Sequence, residues 1–110
     1  MGPVAPMSLD DLDPLLTQPK RLACLGAVAA TSKVEFAALR ELLGLSDSDL
    51  SKQVKALSDA GYLMSKKTGK GATRRTWLSI TKPGRAALAA HTEALRRLVD
   101  PAVLATRLQA

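Results

Sequence analysis

Aromatic side chains are scarce: one Trp, one Tyr and one Phe make up 3% of the chain, against a hydrophobic content of 46%. So few rings exclude a core of stacked aromatic sheet layers and leave Leu, Ala and Val at helical spacing to fill the interior. Cys24 is alone, so no internal disulfide can form. With His91 as the only histidine, the soft ligands of a structural zinc site are missing too. No apolar run approaches the roughly 20 residues that span a bilayer. The N-terminus has acids and prolines where a signal peptide has a basic head and an apolar stretch. These absences lead to the expectation of a cytoplasmic, mainly α protein with no metal, cofactor or membrane partner. At 110 residues there is room for one domain with one core and none for a separate ligand-binding domain.

Catalytic chemistry is equally thin. The serines fall at expected caps and turns, and His91 has no nucleophile and orienting acid at a motif spacing. The chain does not read as an enzyme.

What it does have is a localised positive charge. The net charge is +6, and all of that excess lies between Ser46 and Arg85. There Lys52, Lys55, Lys66, Lys67, Lys70, Arg74, Arg75, Lys82 and Arg85 face only Asp47, Asp49 and Asp59; elsewhere bases and acids balance. One cationic surface on a neutral scaffold points to a polyanion.

The pattern divides the chain into a flexible N-terminus, residues 1–8, and a single domain, residues 9–110. Ser8 is placed to cap a short helix bearing Leu9, Leu12, Leu15 and Leu16. Pro19 opens a second helix with Leu22, Leu25, Val28 and Ala29 at helical steps. A third is expected from Val34 to Leu43, stopped by Gly44. Ser46, with Asp49 three residues on, reads as a capping box that starts a fourth helix after a very short turn. Two helices joined so tightly by a Gly-containing turn form a helix-turn-helix candidate. Gly61 ends the fourth helix. Two strands, Tyr62 to Thr68 and Thr73 to Thr81, then flank the flexible cationic tip Gly69-Lys70-Gly71-Ala72. In the second of them Thr76, Leu78 and Ile80 alternate with Arg75, Trp77 and Ser79, giving a buried and an outer face. Thr81 caps a last long helix running to about Val99, and Pro101 separates it from a short terminal turn.

On a helical wheel Leu50, Val54 and Leu57 fall within about 60° of one another and define the buried face of the fourth helix. Opposite lie Ser48, Ser51, Lys52 and Lys55, side chains suited to base edges and phosphates in a major groove. In the hairpin, Lys66, Lys67, Lys70, Arg74 and Arg75 cluster at a glycine-flanked tip that can approach a phosphate backbone or a narrow minor groove. Cys24 reads as a small core residue, His91 as a helix-surface or interface residue, and Trp77 as packed against the hairpin or last helix.

Three segments in this order carry a resemblance. They are Phe36-Ala37-Ala38-Leu39-Arg40-Glu41-Leu42-Leu43-Gly44-Leu45-Ser46-Asp47-Ser48-Asp49-Leu50-Ser51, Leu57-Ser58-Asp59-Ala60-Gly61-Tyr62-Leu63, and Arg75-Thr76-Trp77-Leu78-Ser79-Ile80-Thr81-Lys82-Pro83-Gly84-Arg85. Over roughly residues 19 to 99 the chain resembles small bacterial winged helix-turn-helix transcriptional regulators related to the MarR and ArsR groups. The resemblance implies a mainly α fold with a small β-hairpin and sequence-specific binding of double-stranded DNA. It places the recognition positions on Ser48, Ser51, Lys52 and Lys55 and the wing positions on Lys70, Arg74 and Arg75, and the capping Ser46 is expected to touch the DNA as well. The wing lacks the Asp-x-Arg pattern common in MarR proteins, and the paired cysteines of metal-sensing ArsR members are absent. No motif names a small-molecule effector. The alternative from another class is a winged-helix interaction module that docks an acidic protein surface.

The last helix carries Leu88, Leu95 and Leu98 with Ala87, Ala90 and Ala94, an apolar surface broader than one small domain needs. Leu12, Leu15 and Leu16 supply a second strip. Together they suggest a homodimer reading a pseudo-palindromic site.

Overall fold

The computed structural model of the protein describes residues 9–109. The expected frayed end and the Ser8 cap lie outside the described residues. Five helices and three short strands follow in the order α1 (Pro19–Ala29), β1 (Val34–Glu35), α2 (Phe36–Leu43), α3 (Asp47–Asp59), β2 (Leu63–Thr68), β3 (Arg75–Ile80), α4 (Lys82–Val99) and α5 (Pro101–Gln109). The strands form one antiparallel sheet in the order β1-β3-β2. The result is a winged helix-turn-helix.

The segment before α1 is two single 3-10 turns, Leu9–Asp11 and Pro14–Leu16, rather than one short helix. Pro14 has no N–H to continue a helix and holds Asp13 in an extended conformation (φ −80°, ψ 116°). Asp13 then caps the second turn by accepting from the Leu15 N–H at 2.9 Å. Helix α1 begins at Pro19 as expected, with the Gln18 side chain accepting from the Arg21 N–H.

The helix expected from Val34 starts two residues later. Val34 and Glu35 are instead a strand, pairing with Leu78 and Trp77 of β3. A β-branched valine beside the open edge of β3 gains ladder bonds there that a first helical turn would leave unmade. Gly44 ends α2 at φ 64°, the left-handed conformation its position requires. The turn into α3 is then only Gly44, Leu45 and Ser46. At the hairpin tip a single 3-10 turn, Gly71–Thr73, delays the second strand to Arg75, while the first ends at Thr68 as expected and starts one residue late, at Leu63. A Cβ on Gly69 would stand 2.2 Å from the Thr73 carbonyl oxygen, so only glycine fits there.

The core is aliphatic: Leu16, Cys24, Leu25, Val28, Leu39, Leu50, Leu57, Leu63 and Leu78 are buried together, with Phe36, Val54 and Ile80 packed around them. On α3 the buried set is Leu50, Gln53 and Leu57, while Val54 is half-buried. Gln53 joins the inward row beside Val54, which still packs on the core, because its amide is satisfied, accepting from Arg21 Nε at 3.2 Å and donating to Asp49 at 3.1 Å. Beyond Val99 the expected terminal turn is a nine-residue helix, α5. Asp100 starts it by accepting from the Ala102 N–H at 2.9 Å, with Pro101 in the first turn.

Candidate nucleic-acid interface

Helix α3 is fixed by its own first turn. Ser46 Oγ accepts from the Asp49 N–H at 3.1 Å and lies 3.3 Å from Ser48 Oγ. Only half of a capping box forms, because the Asp49 carboxylate turns to Lys20 of α1 and Gln53 instead of reaching back to Ser46. Those two hydrogen bonds, Lys20 first, hold its pKa below the ordinary carboxylate range. Asp47 pairs in the same way with Arg40 of α2. Each acid of the first turn is thus matched by a cation from a neighbouring helix, while the buried leucines of α1, α2 and α3 hold the three helices together.

The outward face carries Ser48, Ser51, Lys52 and Lys55, all exposed. Lys52 makes no hydrogen bond or ion pair among the described residues, whereas Lys55 is paired with Asp59 at 3.0 Å. Ser46 is exposed as well, but its hydroxyl is occupied by the cap.

In the wing, Lys70, Arg74 and Arg75 are exposed at the tip and its return strand. Arg75 is committed inward: its Nε stands 3.2 Å from Glu35 of β1, and Nη1 donates to the carbonyls of Ala72 and Arg74. By contrast, the exposed side chains of Lys66, Lys67 and Arg74 make no hydrogen bond or ion pair among the described residues. Lys67 also lines a groove of about 440 Å³ between α3 and the wing, with Ser51, Val54, Lys55, Ser65 and Thr76. Lys66 and Lys67 were legible as part of the basic hairpin, but strand register is what brings Lys67 opposite Thr76 and toward α3. Of the expected site residues, Ser51 and Lys55 line this groove with Lys67, while Ser48, Lys52, Lys70, Arg74 and Arg75 lie outside its lining.

Trp77 packs on the hairpin as expected, donating from Nε1 to Thr68 Oγ1 at 3.2 Å, with the Lys33 ammonium 4.9 Å from its ring centre. Cys24 is a core residue, and burial pushes its thiol up to about 11. His91 is not a surface residue. It is fully buried, its Nδ1 accepting from the Asp13 N–H at 2.9 Å, because the N-terminal 3-10 turns fold over α4. Of the residues expected at a dimer interface, Leu12, Leu15, Leu88, Leu95 and Leu98 are half-buried. Leu16 is fully buried in the core of the monomer, where the second 3-10 turn packs on α1, and it is unavailable to a partner. Among the described residues no group of three or more His, Cys, Asp or Glu side chains could hold a metal ion, and no helix is long and apolar enough to cross a membrane.

Comparison with known proteins agrees with this geometry. Solved structures with the same fold include a transcriptional regulator homologue from Pyrococcus horikoshii OT3, at 22% identity and a TM-score of 0.73 over 78% of this chain and 85% of that one. MarR matches at 15% identity and a TM-score of 0.68, over 78% of this chain and 62% of its own length. The PcaV transcriptional regulator from Streptomyces coelicolor, solved with its natural ligand, matches at 21% identity and a TM-score of 0.67, over 81% and 62%. The chain thus spans less than two thirds of the latter two proteins. No curated protein sequence matches it. The family model described as "Winged helix DNA-binding domain" matches residues 20–99, from α1 to the end of α4, and the chain belongs to that family.

Proposed function

We propose that the protein is a sequence-specific regulator of transcription that binds double-stranded DNA as a homodimer. The observation that carries this reading is the joint presentation of Ser48, Ser51 and Lys52 on the outer face of α3 and of Lys66, Lys67, Lys70 and Arg74 on the adjoining wing. Serine and lysine side chains on a helix held by its neighbours suit base-edge contacts in the major groove. Exposed cations on a hairpin suit phosphates, or a narrow minor groove at the tip. Bound protein would then block or permit access of polymerase to the site.

The dimer reading is supported by α4. Leu88, with Leu22, Gly26, Ala29 and Ala89, lines an apolar groove of about 400 Å³ between α1 and α4, and Leu95 and Leu98 continue along the same helix. Two-fold pairing there would set two α3 helices about 34 Å apart, on successive major-groove faces of a pseudo-palindromic site. The test is a competition gel shift at two salt concentrations, with a selected duplex as probe and shuffled duplexes as competitors. Preference for the selected duplex at both salts supports the reading. Equal competition by shuffled DNA would instead favour a module that docks acidic surfaces without reading sequence.

A further inference from the structure

Tyr62 occupies the corner where α3 ends and the wing begins, and four elements meet on it. Its N–H donates to Leu57 of α3 at 2.9 Å, and its carbonyl accepts from the Thr81 N–H, just before α4, at 3.0 Å. A Cβ on Gly84 of α4 would stand 2.3 Å from that same carbonyl oxygen, so the approach of α4 to the corner is as close as a backbone allows. The phenol hydroxyl donates to Asp13 Oδ2 at 2.6 Å, across 49 residues of sequence.

Asp13 is itself held from two further directions. Its Oδ1 accepts from the Leu15 N–H, and its own N–H donates to Nδ1 of the buried His91 on α4. With Nδ1 accepting, a neutral imidazole carries its hydrogen on Nε2, which is buried and, among the described residues, without a partner. His91 therefore makes its one polar contact there through Asp13. Asp13 also lies outside residues 20–99, the part of the chain shared with the winged-helix family.

We infer that Asp13 and Tyr62 are positioning residues for DNA binding: the N-terminal segment, anchored on α4 through His91, braces the corner between α3 and the wing and fixes the angle at which the wing meets the DNA. The inference rests on the DNA-binding reading above. A hydrogen bond from a phenol to a carboxylate is among the stronger neutral-to-charged contacts, and its placement at a hinge between two DNA-facing elements converts local order into orientation. Anything that lifted the N-terminal segment from α4 would loosen the wing without touching a DNA-facing side chain.

The test uses the full chain with Tyr62→Phe, which keeps the ring and removes only the hydroxyl, and Asp13→Ala as a second variant. The first arm needs no DNA. Amide exchange should rise over β2 and β3 while α1 and α3 keep their protection, and emission of the single Trp77 on β3 should shift. The second arm is a double-mutant cycle on duplex affinity. Tyr62→Phe should weaken binding by about fivefold or more alone, and by less than about twofold when Lys70 and Arg74 are already alanine, because it acts through the wing they occupy. A uniform rise in exchange across the domain, unchanged exchange, or the same affinity loss in both backgrounds would overturn the brace and leave only a structural contact. Failure of the wild type to bind any duplex would overturn the functional reading instead, and the exchange pattern would still decide whether the corner is braced.

Discussion

Arg75 Nε and the Glu35 carboxylate lie 3.2 Å apart, joining the tip-side end of β3 to the two-residue strand β1. This pair ties Arg75 to the sheet, so that a phosphate has to compete with Glu35 for a side chain that is still 48% exposed. It also separates two kinds of basic residue that look alike in the sequence. Lys66, Lys67 and Arg74 project without a partner among the described residues, while Arg75 and Lys55 are held by Glu35 and Asp59.

The salt dependence of DNA binding should follow that division. Removing one phosphate-binding cation lowers the magnitude of the salt slope by about 1, so Arg74→Ala and Lys67→Ala should each do so and weaken binding across sequences. Arg75→Ala should change the slope less and instead loosen the β1–β3 pairing. Titrations at four or five salt concentrations measure the slopes; equal reductions for Arg74→Ala and Arg75→Ala would contradict the division.

On α3 the substitutions should separate binding from stability. Replacing Ser51 or Lys52 by alanine should cost roughly 1 to 3 kcal/mol of specific binding and leave unfolding unchanged, since both side chains are exposed. Leu50→Ala, at a fully buried position, should cost roughly 2 to 5 kcal/mol of stability. Denaturant unfolding alongside gel shift checks both; a destabilised Lys52→Ala would mean the wrong face of α3 has been assigned to DNA.

Cys24 gives a pH signature. Its thiol is pushed up to about 11 by burial, so the folded state holds the proton more tightly than the unfolded chain, whose thiol titrates near 8.5. The contribution is full below the unfolded value and is lost as pH rises from there through about 11. Stability should therefore fall on the alkaline side, and Cys24→Ala should flatten that fall after its own constant loss of packing. Alkylation of the wild type at pH 8 should also be slow and limited by opening of the fold. Rapid alkylation of the folded protein would contradict a buried thiol.

Sedimentation should resolve the assembly. The wild type at micromolar concentration is expected as a dimer and Leu95→Glu as a folded monomer that binds a single half-site weakly. A wild-type monomer that protects an asymmetric half-site would contradict pairing through α4.

Most of the fold could be read from local signals. Gly44 and Ser46 mark the tight turn, Thr81 and Pro83 mark the start of α4, and alternation along Arg75 to Ile80 marks the central strand. These signals are short-range chemistry of caps, turns and periodicity, which acts within a few residues. What the sequence hid was long-range. Val34 and Glu35 become a strand only because β3 offers an edge, and Gln53 is buried only because Arg21 and Asp49 satisfy its amide. His91 is buried only because Asp13, distant in sequence, folds onto it. The candidate site was legible to the same extent. Exposure of Ser48, Ser51, Lys52, Lys70 and Arg74 followed from helix and hairpin patterning, but the pairing of Lys55 and Arg75 depends on which acid lies within reach after folding.

The central claim is that α3 reads sequence. Selection of bound duplexes from a random pool, with sequencing of the survivors, tests it most directly. One enriched motif with two-fold related halves is expected, and loss of that enrichment, with non-specific binding retained, when Ser51 and Lys52 are replaced by alanine. Salt-sensitive retention of duplexes with no enriched motif, or the same motif from the doubly substituted protein, would contradict it.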